Sequence, residues 1–443
     1  MTYAEAADPD ARAGHFQAVL ERYQAERRLP SLVAAVLGGD GPSWTTWAGV
    51  AGQGGGTDRQ YRIGSITKTL TAVLVVQARD AGLLSLDDEL GRTVPEAGGY
   101  AARTLRELLS HTGGMQSEPA GPWWERHPGG PVAELLAAND GSGAVFGPGE
   151  HHHYSNLGYG LLGEVLARVH GRPWWTLVEE RVLRPLGMRR TSYAPAADAA
   201  PGFSVHHLAG TLTSEPAHDT GAMAPAGQAW STVGDLALLG RFLVDGHPDV
   251  LAADSLRAMR QPVPPATDYG LGLRTFPYAG GLLAGHTGSM PGFQSVLLVD
   301  PVHRTGVVAL TNATTGFSGP ELARALLGDR TPGPATPWRP TERVPDWAAE
   351  LLGTWHWGNS AYEVRWHDDR LEWRDLARGL ALAEQFVRHD DGRVVGAAGY
   401  HHGETLHVVR RDDGTPDHLE CATFVYTRTP YPDGPRPSDE EPR

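Results

Sequence analysis

The spacing of apolar positions changes character several times along the chain. Within residues 11–29, Phe16, Val19, Leu20 and Tyr23 fall at i, i+3, i+4 and i+7, one face of an amphipathic helix. Residues 32–37 form a short apolar, β-rich run, Gly38-Gly39-Asp40-Gly41 turns it, and 44–50 returns, which predicts a hairpin. A glycine-rich loop, 52–56, follows. Residues 70–78 are mostly apolar, with Leu70, Val73, Leu74 and Gln77 on one face, and predict a buried helix closed by Gly82. Residues 84–150 mix loops with short helices such as 105–110; 157–170, 174–183 and 233–244 read as further helices. Residues 190–229, rich in Ala, Pro, Gly and His without a period, predict long surface loops lining a cleft. Strands return at 270–276, 281–285, 293–299 and 305–310. Two early strands and several late ones, with helices between, predict an α+β domain whose one antiparallel sheet is closed by both ends of the domain.

A proline-bearing linker follows, with Pro332, Pro334, Pro337, Pro340 and Pro345. Beyond it, short alternating segments at 355–357, 362–366, 371–373, 406–409 and 423–426, with polar turns such as Asp390-Asp391-Gly392, predict a small all-β barrel or sandwich. The Pro- and acid-rich tail is expected to be disordered. The chain thus divides into a domain over 1–328, a linker over 329–345, a β domain over 346–429 and a tail over 430–443.

A net charge of −14 turns the chain away from nucleic acid and from anionic membranes. One cysteine, Cys421, excludes an internal disulfide framework and, on the sequence, a cysteine-based zinc site. The N-terminus has neither a basic nor an apolar leader region, and no apolar run approaches the length of a membrane span, so a soluble, cytoplasmic protein is expected. Of the 38 Lys and Arg residues, Lys68 is the only lysine. Arginine keeps its proton in proteins, whereas lysine can be tuned to release it.

Lys68 stands three residues after Ser65, one helical turn on and on the same face. A serine hydroxyl needs a base to become a nucleophile. Making a solvated lysine neutral at pH 7 costs about 4–5 kcal/mol, and burial in an apolar helix lowers that cost. Ser-x-x-Lys alone arises readily by chance, so partners are needed. The first is Tyr154-Ser155-Asn156, where Tyr154 can serve as phenolate, second base or proton relay, and Asn156 can orient Lys68 and donate to a substrate amide; a loop tyrosine beside a helix cap is the plainer alternative. The second is Gly285-His286-Thr287-Gly288-Ser289 between two apolar runs. On an edge strand it would turn His286 and Thr287 toward the cleft and set the Ser289 N–H beside that of Ser65 as an oxyanion hole. His286 could then bond a substrate carboxylate or Tyr154. The histidines at 151–153 and 206–207 read as solvated loop residues, and Trp123-Trp124 as either core or cleft wall.

In this order and at these separations, the three sets resemble the motifs of the serine β-lactamase and penicillin-binding protein superfamily. The Tyr-x-Asn form resembles the class C branch, with its esterases and D-peptidases. Residues 108–115, 146–149 and 185–188 also resemble family signatures, and the likeness spans about residues 15–328. It implies a β-lactamase/transpeptidase-like antiparallel sheet flanked by helices with an all-helical subdomain, followed by a small all-β, lipocalin-like domain. It implies Ser65 as acyl nucleophile, Lys68 and Tyr154 as its base system, Asn156 as a contact to substrate and lysine, and His286, Thr287, Gly288 and Ser289 along the substrate, with no metal and no cofactor. His286 stands where class C β-lactamases and D,D-peptidases carry lysine, which turns the reading away from β-lactamase activity. The layout further resembles the penicillin-binding-protein-type thioesterases, stand-alone enzymes that close a linear nonribosomal peptide head to tail. The expected function is therefore release and cyclisation of a peptidyl thioester or ester with a D-residue at its acyl end, a step of antibiotic biosynthesis, with the peptide on a carrier protein's phosphopantetheine arm. The alternatives are a D-stereospecific aminopeptidase or esterase, and an acylatable sensor that does not turn over.

Overall fold

The first and last strands of the N-terminal unit lie side by side. A computed structural model describes residues 9–38, 41–50 and 54–430 of the chain. Strand β1 (Ser31–Gly38), buried from Ser31 to Leu37, pairs on one side with β2 (Gly41–Gly49) and on the other with a strand from the far end of the unit. Two short ribbons lie outside this sheet: β3 (Tyr61–Arg62) with β6 (Trp230–Ser231), and β4 (Phe203–Val205) with β5 (Leu212–Ser214). The sheet is completed by β7 (Arg274–Tyr278), β8 (Gly281–Met290), β9 (Phe293–Asp300) and β10 (Thr305–Thr311), in the antiparallel order β2-β1-β10-β9-β8-β7.

The central strands are apolar on both faces, so both must be covered. Neighbouring residues of β9 show how. Val296 packs against Gly319 at the start of the helix Gly319–Leu327, while Leu297, pointing the other way, packs against Gly240 of the helix Val233–Asp245. Helix α1 (Pro9–Arg27) joins the first of these layers, burying the predicted Phe16, Val19, Leu20 and Tyr23. The helical part holds α2 (Ile66–Asp80), α3 (Leu105–Ser110), α4 (Val132–Ala138) and α5 (Asn156–His170). Helix α2 is buried along almost its whole length, starts directly after Ser65, and is followed by Gly82 with a positive φ of 69°.

Several expectations need correction. Residues 190–229 are not surface loops throughout. They contain β4, β5 and the helical turn Ala224–Gly227, and Met223, Ala226 and Gln228 are buried. The expected strand over 270–276 begins only at Arg274, and β8 runs five residues past the expected end at 285. The helices Ala253–Arg260 and Gly319–Leu327 were not anticipated.

The C-terminal β domain is a closed eight-stranded barrel of β11 (Gly353–Trp357), β12 (Ser360–His367), β13 (Arg370–Asp375), β14 (Ala381–Arg388), β15 (Val394–Ala398), β16 (Thr405–Arg410), β17 (Pro416–Cys421) and β18 (Phe424–Thr427). Pairing of β11 with β18 closes it, which decides barrel over sandwich. Alternate residues such as Val364, Trp366, Leu371, Trp373, Phe386 and Leu419 fill its interior. The chain groups into two units: Met1–Ser204 with Ser214–Arg339, and Val205–Thr213 with Pro340–Arg443. The expected uninterrupted domain over 1–328 is therefore broken at 205–213. Within the second unit the Trp366 and Thr341 amides donate to Leu208 O at 2.8 Å and Gly210 O at 3.1 Å. Residues 329–339 of the expected linker group with the first unit. Turn residues 39 and 40, residues 51–53 and the tail from 431 lie outside the described residues. Among the described residues, no helix is long and apolar enough to cross a membrane.

Candidate active site

Two glycines set the position of Ser65. Gly64 has φ 53°, and a Cβ on it would lie 2.5 Å from the Ser289 nitrogen. A Cβ on Gly288 would lie 1.9 Å from the Ile63 carbonyl oxygen, which also accepts a 2.8 Å hydrogen bond from Ser295 Oγ. Only hydrogen at both positions lets the start of α2 approach β8 this closely. Strand β7 pairs with β8 no further than Gly285, so His286–Met290 form a local sheet edge with β9 on one side only. Ser65 and Ser289 thereby line the same cleft, of about 460 Å³, with Tyr154, Thr287 and Gly288.

Lys68 is fully buried one turn into α2. Its Nζ donates to Ser65 Oγ at 3.0 Å, to Asn156 Oδ1 at 2.6 Å and to the Ala226 carbonyl at 2.7 Å. The rings of Tyr154 and Tyr159 stand 5.0 and 5.5 Å from the nitrogen. Burial pulls the ammonium down to about 7, and the carboxylates of Glu118 and Glu125 hold it from falling further.

Asn156 opens α5 behind the N-cap Ser155, whose Oγ accepts from the Gly158 amide. Its amide is fixed at both ends. Oδ1 faces Lys68, and Nδ2 donates to the Glu118 carboxylate at 2.8 and 3.0 Å. Trp124 Nε1 donates to the same carboxylate at 2.6 Å. Of the tryptophan pair, Trp124 is part of the buried core and Trp123 is exposed.

Tyr154 differs from the expectation of a phenolate. Burial pushes its phenol above the ordinary range, a hydrogen bond with the Ser65 side chain acts the other way, and Glu118 and Glu125 add to the rise. It is a neutral phenol beside Ser65, suited to relay a proton rather than to hold a negative charge.

His286 also departs from expectation. Both of its ring nitrogens have partners other than Tyr154. Tyr269 O–H donates to its Nε2 at 2.9 Å, and its Nδ1–H donates to the Thr287 carbonyl. Its ring centroid is 6.2 Å from that of Tyr154. Burial first, then the charge of Lys68, pushes the imidazole down to about 3, so it is neutral. The cation lining this cleft is Arg274, paired with Asp268 at 2.8 Å.

The Beta-lactamase family model matches residues 16–329. This chain belongs to the β-lactamase family. It is a serine hydrolase of the β-lactamase and penicillin-binding-protein superfamily. "Penicillin-binding protein 4" of Amycolatopsis lactamdurans is 31% identical over 380 residues, 77% of this chain and 97% of that protein. The solved D-stereospecific amidohydrolase from Streptomyces sp. shares 30% identity with a TM-score of 0.59, over 68% of this chain and 94% of that one. The structure of SurE with D-Leu shares 25% identity with a TM-score of 0.57, over 95% of this chain and 99% of that one. Residues 344–428 match a domain of unknown function, DUF7586.

Within this β-lactamase-family frame, three contributors carry no signal in the residue spacing. Glu118 lies in a loop, Tyr269 in an irregular segment before β7, and the Ala226 contact is a backbone carbonyl. His111 could have been singled out, since it lies in the 108–115 stretch. It adopts a left-handed φ of 59°, its Nδ1 accepts from the Ser155 amide at 3.0 Å, and its ring stands 4.1 Å from that of Tyr154.

Proposed function

We propose that this enzyme is a stand-alone thioesterase that takes a peptidyl thioester or ester with a D-residue at its acyl end onto Ser65 and releases it as a head-to-tail cyclic peptide. The observation that carries this reading is the neutral, doubly hydrogen-bonded His286. His286 itself offers no positive charge to a free carboxylate, the group that carboxypeptidase and β-lactam substrates present, and the cleft's cation, Arg274, is held by Asp268. An acyl donor ending in a thioester needs no such charge. Likeness to a D-Leu-bound SurE over 95% of this chain, both units included, supports the D-residue.

On this reading, Ser65 Oγ attacks the thioester carbonyl while its proton passes to the neutral Nζ of Lys68. The Ser65 and Ser289 amides hold the oxyanion as the tetrahedral adduct forms. The C–S bond breaks, the thiolate takes the proton from Lys68 by way of Tyr154, and Ser65 is left as an ester. The peptide's own amine then attacks that ester; its proton moves through Tyr154 and Lys68 back to Ser65 Oγ, and the ring is released. Water in place of the amine gives the free acid. The peptide would be presented on a carrier's phosphopantetheine arm in the cytoplasm, and no metal or cofactor enters these steps.

A D-stereospecific amidohydrolase or esterase is the second reading, favoured by the 30% identity to the Streptomyces enzyme. An acylatable sensor would share only the first half-reaction. A linear peptide thioester ending in a D-residue, offered beside an aryl ester and followed by mass spectrometry, separates the three. Cyclic product supports the cyclase, free acid alone refutes it in favour of the hydrolase, and a persistent acyl-enzyme identifies the sensor.

A further inference from the structure

One end of the C-terminal barrel gathers metal-ligating side chains from two segments. Cys421 closes β17 and is fully buried. His401, also buried, and the exposed Glu404 lie in the loop between β15 and β16. The cysteine sulfur, a ring nitrogen of His401 and a carboxylate oxygen of Glu404 all lie within 4.8 Å of one another; among the described residues no other group of three such donors does.

We propose that this barrel binds one zinc-class divalent cation through Cys421 Sγ, His401 Nδ1 and Glu404 Oε2. Tetrahedral zinc, with bonds of about 2.0 Å to N and O and about 2.3 Å to S, holds its ligand atoms roughly 3.3–3.6 Å apart. Cys421 Sγ is 4.0 Å from Glu404 Oε2, and His401 Nδ1 is 2.5 Å from the same oxygen. On these two pairs the sulfur moves in and the carboxylate moves out by less than about 1 Å to meet that spacing, and the nitrogen–sulfur pair lies within 4.8 Å. Glu404 is free to make this shift, since its side chain is 44% exposed.

The surroundings fit an outer shell. Tyr426 OH stands 3.1 Å from His401 Nε2, where it can fix the ring and its tautomer. Glu384 accepts from the backbone amides of Tyr400 and His401, each at 3.1 Å, and so holds the loop that carries two ligands. Thiolate with imidazole and carboxylate suits zinc over magnesium or calcium, which take oxygen ligands. On binding, the Cys421 S–H bond is exchanged for a sulfur–metal bond and that proton goes to solvent. The Nδ1–H that His401 gives to Glu404 Oε2 moves to Nε2, where it is donated to the Tyr426 oxygen, and Nδ1 takes the metal in its place. A lone cysteine gave no sequence pattern for this, because Glu404 precedes it by 17 residues in another segment.

The test uses the untagged full-length chain, stripped with chelator and titrated with cobalt(II) and zinc(II). One equivalent of cobalt should bind with thiolate-to-cobalt charge-transfer absorption, and one equivalent of zinc should displace it and raise the melting temperature by several degrees. Cys421→Ser should lose the charge-transfer band, and Glu404→Gln, a change at an exposed position, should weaken binding at least tenfold with an unchanged far-UV spectrum. Absence of the band in the wild-type chain at stoichiometric metal would overturn the site, as would equal affinity in Glu404→Gln.

Discussion

Lys68 Nζ lies 3.0 Å from Ser65 Oγ, inside a helix that leaves it no exposed surface. A charged ammonium there would donate to three acceptors, Ser65, Asn156 and Ala226. A neutral amine keeps two of these bonds and reverses the third, so that the serine hydroxyl donates to the nitrogen. On the proposed mechanism that reversal activates the serine, and burial, which brings the amine to about 7, makes it available at ordinary pH.

Acylation should therefore follow the neutral fraction of Lys68. The kcat/KM for an activated ester is expected to rise with pH, bend near 7 and level off above it. Lys68→Arg, which cannot release its proton, should lower kcat/KM by about 10³-fold or more at every pH. Stopped-flow acylation across pH 5.5–9 checks both; an active arginine variant would contradict the proton role.

The same depressed value makes stability depend on pH. Below about 7 both folded and unfolded chains hold the proton, and the folded state bears the full burial penalty. Between about 7 and the ordinary lysine value of 10.5 the unfolded chain binds more protons than the folded one, so stability rises with pH across that window. Lys68→Met lacks this contribution. Urea unfolding of both proteins at pH 6.5 and 9.5 should show wild type gaining on Lys68→Met as pH rises; a constant difference would contradict it.

Glu118 acts on Lys68 through its charge and on Asn156 through hydrogen bonds. Glu118→Gln removes the charge and keeps an acceptor for Asn156 and Trp124. The acid limb of the kcat/KM profile should move to lower pH, leaving a larger share of maximal activity at pH 6. Loss of activity without a shift of the limb would mean that Glu118 only orients Asn156.

The close approach of α2 and β8 tolerates no side chain at Gly288, where a Cβ would meet the Ile63 carbonyl at 1.9 Å. Gly288→Ala should push the Ser289 amide away from Ser65. Loss of one oxyanion donor costs about 10²–10³ in kcat, and overpacking about 1–3 kcal/mol in stability. Steady-state kinetics beside thermal melts checks the pair of effects; near-normal kcat would remove Ser289 from the oxyanion site.

Much of this architecture was legible before any coordinates. The i, i+3, i+4, i+7 pattern of Phe16, Val19, Leu20 and Tyr23 predicted α1 because a helix face repeats at that period, and the early and late strands predicted β1 beside β10. Lys68 stood out because arginine took every other cationic position. The misses share a cause. The 190–229 segment is built of small residues that let backbone press against α2, and close backbone packing leaves no hydrophobic period to read; the Ala226 carbonyl is its product. Glu118 and Tyr269 sit in irregular segments where no period fixes a direction. Strands β14 and β15 carry Glu384 and Gly396 among their inward positions, which blurred the alternation. His286 was placed at the right edge but given a free ring, since neither Tyr269 nor the Thr287 carbonyl is visible from spacing.

Because the chain contains one lysine, isotope-labelled lysine gives one side-chain signal. An NMR titration of the ε-carbon and ζ-nitrogen of Lys68 in the full-length protein therefore reads its protonation directly. A midpoint near 7 is the predicted result; a signal that remains that of a charged ammonium up to pH 10 would contradict the account.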